Sequence, residues 1–163
     1  MTLSATRLLV AAATVVMLSP IAVSASQRVA TSLPELFAGS ETVVVAHVES
    51  VSSLWQENNH GDRIIVSRIL LRVEETLKGA PAMLHWMEVP GGTLDGLTLH
   101  VSSLPSLAAG ERGVFFLEQS GGQAFKTPRL RGEGILKLDD NDRVQGSSVR
   151  LDDVRSTARQ SGN

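Results

Sequence analysis

The chain has 163 residues and no cysteine, and 15 Lys and Arg against 17 Asp and Glu leave a formal net charge of −2. Without a thiol there is no disulfide, no thiolate nucleophile and no cysteine-type zinc site. Without a basic excess the chain lacks the electrostatic footprint that grips phosphate backbones, so no nucleic acid is expected as a partner.

The first feature in chain order is a targeting segment. Arg7 precedes an uncharged apolar run from Leu8 to Leu18, Ser19-Pro20 breaks that run, and Val23-Ser24-Ala25 supplies small residues. A charged start, a short greasy middle and a small-residue exit spell a secretory signal over residues 1–25, too short to span a bilayer. The mature chain is expected to be secreted or periplasmic, in a bacterium, with enough length for one domain. Arg7 is the only charge in that segment, so the mature chain is slightly more acidic than the whole. No later apolar run approaches the ~20 residues of a membrane span.

Residues 32–39 predict a short helix. Ser32 or Thr31 caps it, Pro34 sits in its first turn, Gly39 suits a left-handed exit, and Leu33, Leu36 and Phe37 face a core. Thr42 to Val51 predicts a strand from its β-branched run and near alternation. Residues 54–62 predict a polar turn region carrying Trp55. Ile64 to Leu77 predicts a long strand with Ile65, Ser67, Ile69, Leu71 and Val73 on one face and Arg68, Arg72 and Glu74 on the other. At ~3.3 Å per residue such a strand is too long for one flat ladder in a small domain, and predicts coiling around a barrel.

Met83 to Val89 predicts a third strand, Pro90-Gly91-Gly92 a tight turn, and Gly96 to Val101 a fourth strand. Pro105 to Gly110 predicts a loop, and Gly113 to Leu117 a buried strand. Gly121-Gly122 turns into Gln123 to Thr127. Ile135 to Leu138 and Arg143 to Gln145 flank the turn Asp139-Asp140-Asn141-Asp142 as a hairpin. Leu151, Val154 and Ala158 sit at helical spacing, with fraying expected from Arg159 onward. Many short strands and two short helices predict an all-β fold: an OB-like Greek-key barrel with a short N-terminal helix and a short C-terminal helix. A two-sheet sandwich is the second architecture. The expected organisation is a signal at 1–25, a barrel domain at 26–150, and a C-terminal helix with a frayed tail at 151–163.

Four stretches together carry a resemblance: Arg72 to Gly79, Val89 to Gly92 with Asp95-Gly96-Leu97, Leu104 to Leu117, and Arg131 to Leu136. Their order and spacing resemble a family of uncharacterised secreted bacterial domains with an OB-like barrel, similar in fold to the tissue inhibitors of metalloproteinases. The resemblance covers roughly residues 33–150 and implies a fold and a compartment but no reaction. Those inhibitors grip a protease zinc through an N-terminal cysteine; this chain has no cysteine, so only the barrel carries over.

No catalytic residue, metal ligand or cofactor is expected. Gly91-Gly92 and Gly121-Gly122 lack the Lys-Ser/Thr continuation of a phosphate loop. His47, His60, His85 and His100 fall on different predicted elements without metal spacing. Asp139 to Asp142 lacks the glycine and terminal glutamate of a calcium loop. Gly110-Glu111-Arg112 predicts a salt-linked strand start, and no G-x-S-x-G elbow exists. Trp86 predicts half-buried packing in a strand. Trp55 serves either as a ligand contact among polar residues or as a lid over the barrel end. Trp55, Asn58, His60, Asp62 and Asp95 are therefore the candidate binding residues. The expected role is a non-enzymatic exported domain engaging a secreted or envelope protein. A structural envelope subunit and an unrecognised extracytoplasmic hydrolase are the other classes.

Overall fold

A computed structural model describes residues 31–58, 60–119 and 124–161. The expected signal and the turn at Gly121-Gly122 lie outside the described residues. The fold is mostly β, with a large mixed sheet and two short helices.

Helix α1, Leu33–Gly39, starts at Ser32, whose N–H and hydroxyl both donate to the Glu35 carboxylate at 3.0 and 2.8 Å. An acid at this position satisfies a free helix-start donor and complements the positive end of the helix. The expected left-handed exit at Gly39 does not occur. Ser40 ends the helix in extended backbone, and the Arg129 guanidinium, the end of a flexible side chain, lies over Gly39, 2.5 Å from where a Cβ would sit.

Strand β1, Thr42–Glu57, runs well past Val51 and carries Leu54 and Trp55 inside the ladder, where a polar turn was expected. Strand β2, Arg63–Lys78, pairs antiparallel with it along its whole length. Three register shifts, at Val43/Val44, Val45/Ala46 and Val48/Ser50, break this ladder. Each adds local twist, which is how a strand of this length bends around a small core. Strand β3, Leu84–Pro90, pairs with β2 antiparallel.

Strands β4, Gly92–Leu94, and β5, Leu97–Leu99, form a separate two-stranded hairpin. Its turn is Asp95-Gly96, with φ of 53° and 77°, the pair of left-handed residues that a two-residue hairpin requires. The expected turn at Pro90-Gly91-Gly92 is instead the corner that leads into this hairpin, and the expected fourth strand is shorter and stands outside the large sheet. Strand β6, Arg112–Gln119, pairs antiparallel with β1 from Thr42 to His47 and with β7, Lys126–Pro128. β7 in turn meets β3 in parallel through Met87 and Lys126. Following the pairings from β1 through β2, β3, β7 and β6 leads back to β1.

A 3-10 turn at Arg131–Gly134 precedes β8, Ile135–Lys137, which pairs with β6. The expected hairpin beyond it is present as the bridge Leu138–Val144, fastened by Asp139 N to Arg143 O at 2.9 Å. Helix α2, Leu151–Ser161, buries Leu151 and Val154 and continues through Arg159, where fraying was expected.

The run Val43-Val44-Val45 and the run Val114 to Leu117 are continuous because both strands are buried on both faces. Val43, Val45, Val114 and Phe116 pack with Leu36, Phe37, Leu151 and Val154 under the helices. Val44, Ala46, Val48, Phe115 and Leu117 point the other way, onto Ile69, Leu71, Met87 and Val89. Phe37 and Phe116 meet edge to face with centroids 5.1 Å apart, a geometry that adds about 0.5–1.5 kcal/mol to their burial.

Candidate functional site

The β1–β2 hairpin and the β4–β5 hairpin converge on one end of the molecule. Trp55 Nε1 donates to the Asp95 carboxylate at 3.3 Å across 40 positions of sequence. The Arg63 guanidinium lies over the Trp55 ring at 5.0 Å from its centroid. Trp55 is part-exposed within a strand, so it links the two hairpins while leaving indole surface open. Of the five candidate residues, the structure brings Trp55 and Asp95 together.

Asn58, His60 and Asp62 form the tip of the β1–β2 hairpin. Asn58 Oδ1 accepts from the N–H groups of His60 at 2.8 Å and Asp62 at 3.0 Å, and its Nδ2 donates to the Asp62 carboxylate at 3.2 Å. This is an asparagine-built turn. Asn58 and Asp62 spend their side chains on shaping it, and His60 is exposed at its apex.

Between the β4–β5 hairpin, the neighbouring parts of β1 and β2, and the segment 100–107 lies a cleft of about 340 Å³. That volume is at the lower end of the range of small-molecule and side-chain pockets. Ile69, Val89, Leu104 and Leu107 give it an apolar lining, and Ser53, Ser67, Thr93 and His100 bring polar groups to it. Ser67 Oγ donates to Gly91 O at 2.8 Å, which leaves Ser53 to donate to Ser67 at 3.3 Å. Gly92, at φ 130°, makes this junction possible, since a Cβ would meet Ser67 Oγ at 2.4 Å and Ser53 Oγ at 2.5 Å.

A second, more polar pocket is lined by His47, Glu111, Arg112 and Asp139. Arg112 donates to Glu74 at 2.8 Å and to Asp142, Glu74 also meets His47 Nε2 at 2.5 Å, and Lys137 meets Glu111 at 2.5 Å. Partial burial raises the Glu74 pKa, but the bonds and charges of Arg112 and His47 outweigh it and hold the carboxyl below its usual range. The expected salt-linked start at Gly110-Glu111-Arg112 is present, with Glu111 paired to Lys137 and Arg112 to Glu74 and Asp142.

Two features escaped sequence reasoning. His85 Nε2 is buried with no hydrogen-bond partner among the described residues. Burial and the charge of Lys126 lower its pKa against an opposing pull from Glu41. The second is an exposed apolar stripe: Trp86, at 44% exposure, is half-buried as expected, while Met83 and Leu84 beside it are 84% and 51% exposed. Trp86 meets Phe125 edge to face at 6.3 Å, and the Arg68 guanidinium covers Phe125 at 4.3 Å. The sequence signal for this stripe is Leu84 and Trp86 two positions apart, hence on one strand face, with Met83 before them.

Among the described residues no group of three or more histidine, aspartate or glutamate side chains is arranged to hold a metal, and no helix is long and apolar enough to cross a membrane. No family model matches the chain, and no curated protein matches it at a significant level.

Proposed function

We propose that the chain is an exported, non-enzymatic binding domain on an OB-like Greek-key barrel, and that it engages a secreted or envelope protein through the paired hairpins. The barrel reading is supported by a run of pairings that returns to β1, with β7 and β6 joining the sheet out of chain order between β3 and β1, as the crossing connections of a Greek-key barrel do. The signal-like residues 1–25 support export.

The observation that carries the binding role is the Trp55–Asp95 bond. It ties two hairpins into one rim beside the cleft, with a part-exposed indole in the rim. Tryptophan supplies much contact area at low entropic cost, which is why it anchors protein interfaces.

The test is a pull-down from culture medium and envelope extract with the wild-type chain and Trp55→Ala. Loss of a saturable partner in the variant, with a thermal midpoint close to wild type, supports the proposal. Equal capture by both chains, or a large loss of stability in the variant, assigns Trp55 to packing and overturns it.

A further inference from the structure

β1 changes its surroundings at Glu49. As far as His47 it is paired on both edges, to β2 and to β6. Val48 extends the second join, donating to Glu111 O and accepting from Gly110 N, both at 2.8 Å. Two devices then end that join at the same place. The register shift between Val48 and Ser50 inserts Glu49 as an extra residue, and such bulges re-aim a strand and terminate pairing. Gly110, at φ 89°, turns the neighbouring chain away.

Beyond this point residues 50–57 pair with β2 alone. Among the described residues no strand and no backbone hydrogen bond takes their other edge. Proteins normally blunt a free edge with lysine, proline or a covering segment, because its unpaired N–H and C=O groups recruit other strands. From Ser50 to Gln56 no residue is charged and none is proline. The cleft runs beside this stretch, since Val51 and Ser53 belong to both. Trp55 shares their face by the two-residue strand repeat.

We propose that the free edge of β1 takes up an extended peptide segment of a protein partner as an added strand, with alternate side chains directed to the cleft and Trp55. This rests on the protein-binding role above and names its mode. Ladder hydrogen bonds supply affinity in such additions, and the alternate side chains supply selectivity. Charge decides the occupant. A second copy paired antiparallel about Ser53, the register that covers the whole free stretch, would set Glu49 opposite Glu57, and like charges directly opposite destabilise a ladder. A segment with an uncharged, β-branched middle and a basic residue at each end meets Glu57 at one end and, at the other, Glu49, whose carboxylate pairs with Arg72 at 2.7 Å and is 47% exposed.

The probe is a fluorescein-labelled peptide of alternating threonine and valine with a lysine at each end, titrated into the full chain and followed by anisotropy. Saturable binding is expected. Methylating alternate backbone amides of the peptide should weaken it at least about tenfold, the loss of one or two ladder hydrogen bonds. Ser52→Lys should weaken it to a similar degree. Ser52 is exposed and its hydroxyl reaches only Arg68 O at 3.5 Å, so the fold tolerates the change; Val51→Lys is the second edge variant. No saturable signal up to about 1 mM peptide, unchanged affinity of the methylated peptide, unchanged affinity of both edge variants, or a dimer whose dissociation frees the edge would each overturn the proposal. If Ser52→Lys keeps a partner that Trp55→Ala loses in pull-down, the protein-binding role stands and strand addition falls.

Discussion

The two halves of β1 are one strand with opposite fates. Val43, Val44, Val45 and Ala46 are fully buried, with a strand on each edge and packed side chains on each face. Ser50 to Glu57 keeps one neighbouring strand, and its residues are part-exposed or exposed. The first half is a wall between two core clusters; the second is an arm that carries the candidate residue Trp55. A single bulge at Glu49 separates them, so one continuous backbone transmits the rigidity of the core to a surface whose own burial is slight. Binding groups placed on such an arm are held in position without being needed for the fold.

The largest expected effect therefore lies in the first region. Phe116→Ala removes a fully buried ring that sits against Phe37, and should cost about 3–5 kcal/mol in denaturant unfolding. A cost below about 1 kcal/mol would mean that the helices and β6 do not share a core. Gly92→Ala strikes the junction between the regions. Its Cβ would drive apart the Ser53 and Ser67 hydroxyls, and overpacking of this kind costs about 1–3 kcal/mol. An unchanged midpoint would show that the hairpin does not seat on β1 as described.

The pH dependence is next in size and reports a weak point of the buried region. Burial and Lys126 hold the His85 pKa below that of a free imidazole. The unfolded chain then binds this proton more readily than the folded one. Stability from His85 is present above the ordinary histidine range and is lost as the pH falls through the unfolded value toward the folded one. The thermal midpoint should fall between about pH 7 and pH 5, and His85→Leu should flatten that part of the curve. An unaltered slope in the variant would place the effect elsewhere. The smallest expected stability change is Trp55→Ala, within about 1 kcal/mol, because the residue is part-exposed and its bond to Asp95 is long. Its signature is weakened capture instead.

What the sequence disclosed follows the same division. β6 and the first half of β1 announced themselves because burial on both faces demands continuous apolar runs. β2 was legible from alternation, with Ile65, Ile69 and Leu71 buried as expected. The last residues of β1, 54–57, read as the start of a polar turn because Gln56 and Glu57 are tolerated on an exposed edge and resemble loop residues. The length of β1 is fixed by pairing with β2, a long-range property. The hairpin turn was placed on Pro90-Gly91-Gly92 because two glycines outweigh one, while Asp95-Gly96 supplies the required left-handed pair. Trp55 and Asp95 were both named from local composition, but their contact depends on the approach of two hairpins that no local pattern encodes. The Glu74–Arg112–Asp142 links likewise join residues from three separate segments.

Native-state amide hydrogen exchange along β1 is the most direct measurement of this division. Amides from Val43 to His47 should exchange only through global unfolding. Between Ser50 and Glu57 protection should alternate, with slow amides directed to β2 and fast ones on the free edge, and the fast ones should slow when the lysine-ended peptide is added. Uniform protection across Ser50 to Glu57 in the free chain would contradict an open edge, and with it the division of β1 into wall and arm.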